Sequence, residues 1–208
     1  MSILLGTEIL EEYNKGKIEI EPFNELFVGP NSIDVTLSNK LLTYVPCFIK
    51  KINNINYVQK LEFPTSPDNL NGWFIDMAKE NKTYELNIPE DGLVLLPDIL
   101  YLGATNERAG SDYYVPMYEG RSSMARLGIQ SHISAGFGDL FFKSNWTLEI
   151  TVVHPTKVYA NRRIGQVYFH NIHEDVRNKL VANGREYKGK YVNQPYPQAS
   201  KSYLDFDN

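Results

Sequence analysis

The segment EGRSSMARLG, residues 119–128, concentrates side chains that bind anions. Arg121 and Arg126 flank Ser122 and Ser123 in a chain that otherwise reads as strands. Ser122 or Ser123 can cap a single helical turn, whose backbone N–H groups then face an anion together with the fork of donors on Arg121. A phosphate chain is the ligand that suits this pattern.

An ordinary surface turn explains the same segment. Its arginines would pair with Glu119 or Asp139, and Gly128 would end the turn. Exposed ion pairs of this kind are common, so the residue types alone favour a capped turn over a phosphate site.

A carboxylate that could act as a general base lies in the segment NWTLEITVV. Apolar residues alternate there with polar ones, which predicts a strand that places Glu149 on the face opposite the core. Such a face is usually solvated, and the sequence alone favours that interpretation. If the face lined a pocket, partial desolvation would make Glu149 a better proton acceptor at neutral pH.

Other reactive residue types have ordinary explanations. Asp34 and Asp139 lie among Gly, Ser and Asn, where acidic side chains often cap turns; the functional alternative is contact with a ribose hydroxyl or a metal-bound water. His170 and His173 lack an evident third ligand, so no metal site is predicted there. Cys47 lies in an apolar, strand-like context that indicates a buried thiol.

Composition limits the function classes. The 208 residues are 42% apolar, which favours one globular domain over residues 1–208. The net charge of -4 gives no general attraction to nucleic acid or acidic membranes, so a bound anion needs a local cationic cluster. The single cysteine, the lack of a basic leader and the short apolar runs predict a cytoplasmic protein, or one in the cytoplasm of an infected host if the chain is viral.

The elements that must position these residues are mostly strands. A short helix is predicted with Thr7 as N-cap and Gly16 at its end, and a second in HEDVRNKLVANG, ended by Gly184. The short, regularly spaced strands favour a barrel or sandwich over βαβ units. They are predicted in NSIDVTLSNKLLTYV, GWFIDM, YELNI, GLVLLPDILYLGAT, YYVPMY, WTLEITVV, TKVYA and IGQVYFHNI.

Four motifs, in this order, resemble the dCTP deaminase family of dUTPase-like trimeric enzymes: EGRSSMARLG, SHISAGFGD, WTLEI and RRIGQVYF. The likeness covers nearly the whole chain except roughly residues 46–90. It implies a mainly β fold, a dUTPase-like distorted β-barrel or jelly roll with a short N-terminal helix, a few short helices and a C-terminal arm of about residues 183–208 that closes over the active site. It also implies homotrimers with active sites between subunits.

The same resemblance implies hydrolytic deamination of dCTP to dUTP and ammonia, without zinc. A zinc deaminase needs H-x-E and P-C-x-x-C motifs, which a chain with one cysteine cannot supply. Glu149 matches the family's general base and acid. Arg126 and Ser122 match the residues that orient the water and neutralise charge at the pyrimidine ring.

A larger set of positions matches the family's nucleotide contacts by resemblance alone. They are Arg121, Ser122, Ser123, Lys190 and Gln194 around the triphosphate, Asp139 near the deoxyribose, Gln166 at a further contact, His132 and Ala135 at the border of the site, and the backbone of Thr147 and Leu148 at the base edge. Magnesium is expected on the phosphates only, with no side-chain ligand from the protein.

The chain departs from the family's pattern in two places. A tyrosine is expected seven or eight residues before the arm's lysine, where this chain has Asn183 and Ala182; Tyr187 can replace it only if the loop shifts. After Asp139 the family usually continues with Pro-Gly and an aromatic residue, whereas this chain reads Leu-Phe-Phe. The turn there is therefore expected to differ.

The triplet AGF, Ala135 to Phe137, bears on a second reaction. Deaminases that stop at dUTP tend to have a histidine after this alanine, whereas those that also split dUTP to dUMP and diphosphate tend to read A-G-[FW]. Deamination of dCTP to dUTP is the main prediction. Coupled diphosphate cleavage, with Asp139 positioning a second water against the α-phosphorus, is the alternative.

Two further hypotheses belong to other classes. The chain could be a dUTP diphosphatase alone, with Glu149 merely binding the uracil ring, or a nucleotide-sensing binding module of the same fold. The binding module is disfavoured because Ser122, Arg126 and Glu149 are all present, and a chain without turnover would be free to lose at least one of them.

Overall fold

The computed structural model describes residues 2–61, 74–184 and 189–206, and strands dominate them. The mainly β class is confirmed. In chain order the strands are β1 (Ile18–Glu21), β2 (Ile33–Thr36), β3 (Lys40–Thr43), β4 (Cys47–Ile52), β5 (Ile55–Lys60), β6 (Tyr84–Asn87), β7 (Leu93–Leu95), β8 (Tyr101–Ser111), β9 (Val115–Gly120), β10 (Ile129–Gln130), β11 (Lys143–Val152), β12 (Thr156–Val158) and β13 (Arg163–His170).

Short helices interrupt the strands: α1 (Gly6–Asn14), α2 (Ser122–Ala125) and α3 (Glu174–Ala182). Single 3-10 turns occur at Glu25–Phe27 and Ser202–Asp205. Within the ranges described above, no helix combines the length and the apolar character that a membrane crossing requires.

The strands form three sheets in the described residues. The largest has the order β10-β11-β8-β3-β6, with β1 also paired to β8. The second has the order β12-β7-β5-β4, and the third is the antiparallel sheet β2-β13-β9. The long strands β8 and β11 run antiparallel, with Glu149 opposite Leu102.

The core lies between these sheets. Ile150 on β11, Tyr101 on β8 and Phe169 on β13 are fully buried, together with Val35 on β2. Burial of large apolar side chains stabilises the fold by roughly 1.5–3 kcal/mol each. Because these faces of β11 and β13 are held in the core, only the opposite faces of the two strands are available to form a site.

The predicted helices are present, but one cap and one strand differ from prediction. Leu5, not Thr7, is the N-cap of α1, because its backbone N–H donates to the Glu8 carboxylate at 2.7 Å. Gly16 ends the helix at φ 70°, as predicted. The segment GWFIDM is not a strand at residues 74–77, which are irregular; Gly72 and Trp73 lie outside the described residues.

Candidate active site

Glu149 lies on β11, where the predicted alternation is observed: Trp146 and Leu148 are buried and the intervening side chains are partly exposed. The backbone N–H of Ile133 donates to Glu149 Oε2 at 3.2 Å. The half-buried carboxylate lines a cavity of about 560 Å³. This face of β11 therefore borders a cavity, which is the condition that the general-base interpretation requires.

We call this space the Glu149 cavity. Its lining combines apolar and aromatic side chains with a few polar groups, the usual composition of a small-molecule site. The apolar part includes Leu102, Phe137, Phe142 and Trp146, and the polar part includes Asp139, Thr147, Glu149 and Gln194.

The C-terminal arm, residues 189–206, closes one side of the Glu149 cavity, which Tyr191, Gln194 and Gln198 line. Three backbone N–H groups of the arm donate hydrogen bonds to side-chain hydroxyls near the cavity. The pairs are Gln194 with Ser144 Oγ (2.9 Å), Gln198 with Thr147 Oγ1 (3.2 Å) and Ser200 with Tyr44 Oη (2.8 Å). Tyr187, the predicted replacement for the missing arm tyrosine, lies outside the described residues.

A second cavity, of about 750 Å³, lies at the three-stranded sheet and α2. We call it the Arg121 cavity. Its lining contains a group of polar and charged residues: Asp34, Glu119, Arg121, Ser122, Ser123, His132 and Gln166. The exposed hydroxyls of Ser122 and Ser123 and the half-buried Arg121 provide the donors that the sequence predicts for an anion.

The turn that carries these donors forms differently from the predicted serine-capped turn. Arg121 is the N-cap of α2, and its carbonyl accepts the N–H groups of Met124 (2.9 Å) and Ala125 (3.0 Å), with no side-chain cap. Both serines are therefore inside the turn with their hydroxyls exposed. Gly128 ends the turn at φ 71°, as predicted.

Arg121 pairs with neither of the predicted partners. Its Nε forms an ion pair with Asp34 Oδ1 at 3.0 Å, and Arg163 Nη1 donates a hydrogen bond to Asp34 Oδ2 at the same distance. The interpretation of Asp34 as a turn cap is wrong, since it lies within β2. Glu119 is instead 3.3 Å from His132 Nε2.

A single loop separates the two cavities. Ser131, His132 and Ile133 line the Arg121 cavity, whereas Ala135 lines the Glu149 cavity. The Ile133 N–H that holds Glu149 belongs to this loop. A rearrangement of the loop would therefore affect both cavities at once.

The predicted site residues divide between the two cavities. Ala135, Asp139, Thr147, Glu149 and Gln194 line the Glu149 cavity, and Arg121, Ser122, Ser123, His132 and Gln166 line the Arg121 cavity. One chain therefore does not bring Glu149 and Ser122 into one cavity. Gln194, predicted at the triphosphate, lies beside Thr147 instead.

Three predicted residues line neither cavity. Arg126 is exposed at the end of α2. Lys190 forms an ion pair with Asp205 within the arm. The Leu148 side chain is buried in the core, so only its backbone is placed for the predicted contact with a base.

The segment before β11 explains two sequence features. A Cβ at Gly136 would lie 2.5 Å from the carbonyl oxygen of Tyr118, so the AGF triplet needs its glycine for this close approach. The Phe142 N–H donates to the Asp139 carbonyl at 3.1 Å, closing a turn in which Phe141 has φ 73°. Phe141 thus adopts the left-handed backbone that glycine favours. At this position the Leu-Phe-Phe turn therefore has the backbone conformation that a Pro-Gly turn would need.

Several lining residues are not singled out by sequence reasoning. Tyr44, Tyr191 and Gln198 complete the Glu149 cavity, and Ile75 lines it from the segment after the undescribed residues 62–73. The alternation of aromatic and glutamine residues in KYVNQPYPQ is the signal that could have identified the arm residues. Tyr44 and Ile75 carry no such signal.

Comparison with known proteins gives a consistent result. A family model described as dCTP deaminase-like matches residues 3–172. A protein of Clostridium beijerinckii named "dCTP deaminase, dUMP-forming" is 42% identical over 205 residues, covering 99% of both chains. A protein of Leptospira biflexa with the same name is 40% identical over 206 residues, covering 99% of this chain and 98% of its own.

A solved structure shares the fold. The 2′-deoxycytidine 5′-triphosphate deaminase from Agrobacterium tumefaciens matches with a TM-score of 0.56 at 19% identity. The match covers 86% of this chain but spans about half, 52%, of that chain. At this identity the likeness supports a shared fold and nothing finer.

Proposed function

Because the chain belongs to the dCTP deaminase-like family, we propose that it removes the 4-amino group of dCTP and then cleaves the resulting dUTP to dUMP and diphosphate. The relatives are named dUMP-forming, which favours the coupled reaction over the main prediction from sequence, deamination alone. The observation that carries the proposal is that Glu149 and Asp139 line the same cavity. A cytoplasmic location is part of this proposal.

Glu149 would do the proton chemistry of the first reaction. A water attacks C4 of the cytosine, the C4–O bond forms, and Glu149 accepts the water's proton and passes it on to the departing amine as the C4–N bond breaks. The half-buried position on β11 and the hydrogen bond from Ile133 orient the carboxylate towards the cavity. A carboxylate replaces metal-bound water here, so zinc has no part in the proposal.

Asp139 would serve the second reaction. A second water attacks the α-phosphorus, and the bond to the bridging oxygen of the β-phosphate breaks, which releases diphosphate and leaves dUMP. Asp139 is exposed, lines the Glu149 cavity and follows the AGF triplet after one residue, Gly138. Its carboxylate is therefore available to orient that water.

The triphosphate would bind in the Arg121 cavity. Arg121 offers a charged fork, Ser122 and Ser123 offer hydroxyl donors, and Gln166 offers an amide, all on the cavity lining. Magnesium would arrive with the nucleotide as part of the substrate, since it favours phosphate oxygens.

The site would be completed by further copies of the chain. Within one chain, Arg126 is exposed and Ser122 lines a different cavity from Glu149. The proposed deamination needs all three residues around the same pyrimidine ring. Large apolar side chains near both cavities are also exposed. They are Leu127 (51%), Ile133 (55%), Phe137 (65%) and Val153 (77%). A homotrimer that covers these residues would unite Glu149 of one subunit with the Arg121 cavity of another.

A product assay tests the proposal. The protein is incubated with dCTP and, separately, dUTP, each with Mg²⁺, and the nucleotides and ammonia are quantified. We expect dCTP to give ammonia, dUMP and diphosphate in equal amounts. Ammonia with dUTP as the end product would restrict the function to deamination, unchanged dCTP with cleaved dUTP would leave a diphosphatase, and no turnover of either would leave a binding module.

A further inference from the structure

Two carboxylates face the cavity that is proposed to hold a triphosphate. In the three-stranded sheet, Gln166 on β13 is paired with Asp34 on β2 and with Glu119 on β9. All three residues line the Arg121 cavity. Negative side chains oppose phosphate binding, so their presence on this row requires a compensating arrangement.

Asp34 has such an arrangement. Its side chain is 15% exposed, and each of its carboxylate oxygens lies 3.0 Å from a different guanidinium: Oδ1 forms an ion pair with Arg121, and Oδ2 accepts a hydrogen bond from Arg163. Arg121 uses its Nε for this contact, which leaves its terminal nitrogens for other acceptors. Asp34 thus fixes the direction of the Arg121 side chain.

Arg163 occupies the outer side of the same carboxylate. Its side chain is 46% exposed, its guanidinium lies 5.6 Å from the centre of the Phe27 ring, and it is not part of the cavity lining. A direct contact between Arg163 and a nucleotide is therefore not needed to explain its position. Its contact with Asp34 is the feature that connects it to the cavity.

We infer that Arg163 is a positioning residue that neutralises Asp34, so that Asp34 can hold Arg121 in place without cancelling its charge. The inference rests on the proposed function. Within the group of ion pairs, Arg121 and Arg163 with Asp34 leave one net positive charge, whereas Arg121 and Asp34 alone leave none; Glu119, on the other side of Gln166, adds the same negative charge to both counts. Phosphate affinity in the Arg121 cavity therefore depends on a residue outside that cavity.

Binding of inorganic tripolyphosphate, measured by calorimetry at low salt, tests the inference without requiring turnover. Arg163→Gln should weaken binding about tenfold, the usual scale for loss of one effective charge at such a site. Arg163→Lys should stay within about twofold of wild type, because charge and not the guanidinium fork is required. Arg162→Gln is the matched control: it removes the same charge from the preceding exposed residue and should change binding by less than about twofold.

A double variant separates neutralisation from direct contact. Adding Asp34→Asn to Arg163→Gln restores the single positive charge, so it should recover most of the lost affinity. If Arg163 touched the phosphates itself, the double variant would bind about tenfold more weakly than Asp34→Asn alone, whereas a role exercised only through Asp34 makes these two variants nearly equal. Thermal unfolding of each variant, expected to change little because Arg163 is exposed, shows whether the folded state is retained.

The outcomes distinguish this inference from the proposed function. Wild-type affinity of Arg163→Gln, equal losses in Arg163→Gln and Arg162→Gln, or a double variant no better than Arg163→Gln would each overturn the role of Arg163. If variants with Asp34→Asn fail to fold, the Arg163→Lys variant tests the inference instead. A roughly tenfold loss of tripolyphosphate affinity in Arg163→Lys would reject a role that depends on charge alone. Absence of dCTP turnover in the wild-type protein would reject the proposed function. The tripolyphosphate measurements would still test the role of Arg163 in that case.

Discussion

The two cavities of this chain differ in how they are built. The Arg121 cavity is the more polar of the two, lies on the three-stranded sheet, and is held by ion pairs between side chains. The Glu149 cavity is largely apolar and aromatic, lies on the six-stranded sheet, and is closed by backbone N–H groups of the arm. One is suited to holding a charged group and the other to surrounding a flat ring.

This difference indicates a division of labour. Phosphates remain partly solvated when bound, and their affinity comes mainly from charge, so an open polar cavity is sufficient. Proton transfer at a pyrimidine needs an oriented carboxylate with restricted access to water, and an aromatic cavity behind an arm provides it. Variants in the two cavities should therefore affect binding and turnover differently.

The largest expected effect is loss of turnover from Glu149→Gln. The substitution keeps the size of the side chain but removes the proton acceptor, so ammonia release from dCTP should fall roughly 100- to 10,000-fold. The Kd for dCTP, measured by calorimetry, should stay within about threefold because Glu149 does not line the Arg121 cavity.

Glu85→Gln is a suitable control for that experiment. Glu85 is an exposed residue on β6 that pairs with Lys40, and its substitution should leave ammonia release near the wild-type rate. Ammonia release by Glu149→Gln at the rate of this control would reject Glu149 as the base. A dCTP affinity lost together with turnover would instead show that the two cavities do not divide their roles.

A smaller effect is expected from loosening the arm. Tyr44→Phe removes the hydroxyl that accepts the Ser200 N–H at 2.8 Å while keeping the ring on the Glu149 cavity. Loss of one such hydrogen bond costs about 1 kcal/mol, so kcat/KM for dCTP should fall roughly fivefold. Hydrogen exchange at Ser200 should accelerate by a similar factor, whereas tripolyphosphate affinity in the Arg121 cavity should not change.

Tyr196→Phe provides the matched comparison, because Tyr196 belongs to the same arm but is 55% exposed. This substitution should change neither kcat/KM for dCTP nor the rate of hydrogen exchange at Ser200. Faster exchange at Ser200 without any change in kcat/KM would mean that closure of the arm does not contribute to catalysis.

The sequence predicts the strand that carries Glu149, for a physical reason. Strand alternation is a local property, and the burial of Trp146, Leu148 and Ile150 follows directly from it. The positive φ values that end α1 and α2 are likewise predicted from Gly16 and Gly128. Such features depend on neighbours within a few residues.

The contacts that shape the Arg121 cavity are not local. Asp34 and Arg163 are 129 positions apart, and their pairing depends on the register of β13 against β2, which no short segment specifies. The same holds for the arm, whose N–H groups reach Tyr44 across 156 positions. The resemblance to a family predicts the residue types of the site but not the division of these residues between two cavities of one chain.

A buried carboxylate connects the two sheets on which the two cavities lie. Glu107 on β8 is 4% exposed and accepts the backbone N–H and the hydroxyl of Thr36 on β2, both at 2.7 Å. β8 belongs to the sheet of the Glu149 cavity and β2 to the sheet of the Arg121 cavity. Burial raises the pKa of the Glu107 carboxyl above its ordinary value of 4.5, although the bonds from Thr36 oppose this.

The smallest expected effect is a change in the pH dependence of stability in Glu107→Gln. A carboxyl whose pKa is higher in the folded state contributes its full stability below the unfolded pKa and loses it as pH rises through the folded pKa. Urea unfolding at a series of pH values from 4 upward should therefore show wild type losing stability relative to Glu107→Gln, by about 1.4 kcal/mol for each unit by which the pKa is raised. Glu85→Gln should give the opposite sign, because Lys40 lowers the pKa of Glu85. Parallel curves for wild type and Glu107→Gln would mean that the Thr36 bonds fully offset burial, and that the joint between the two sheets is insensitive to pH.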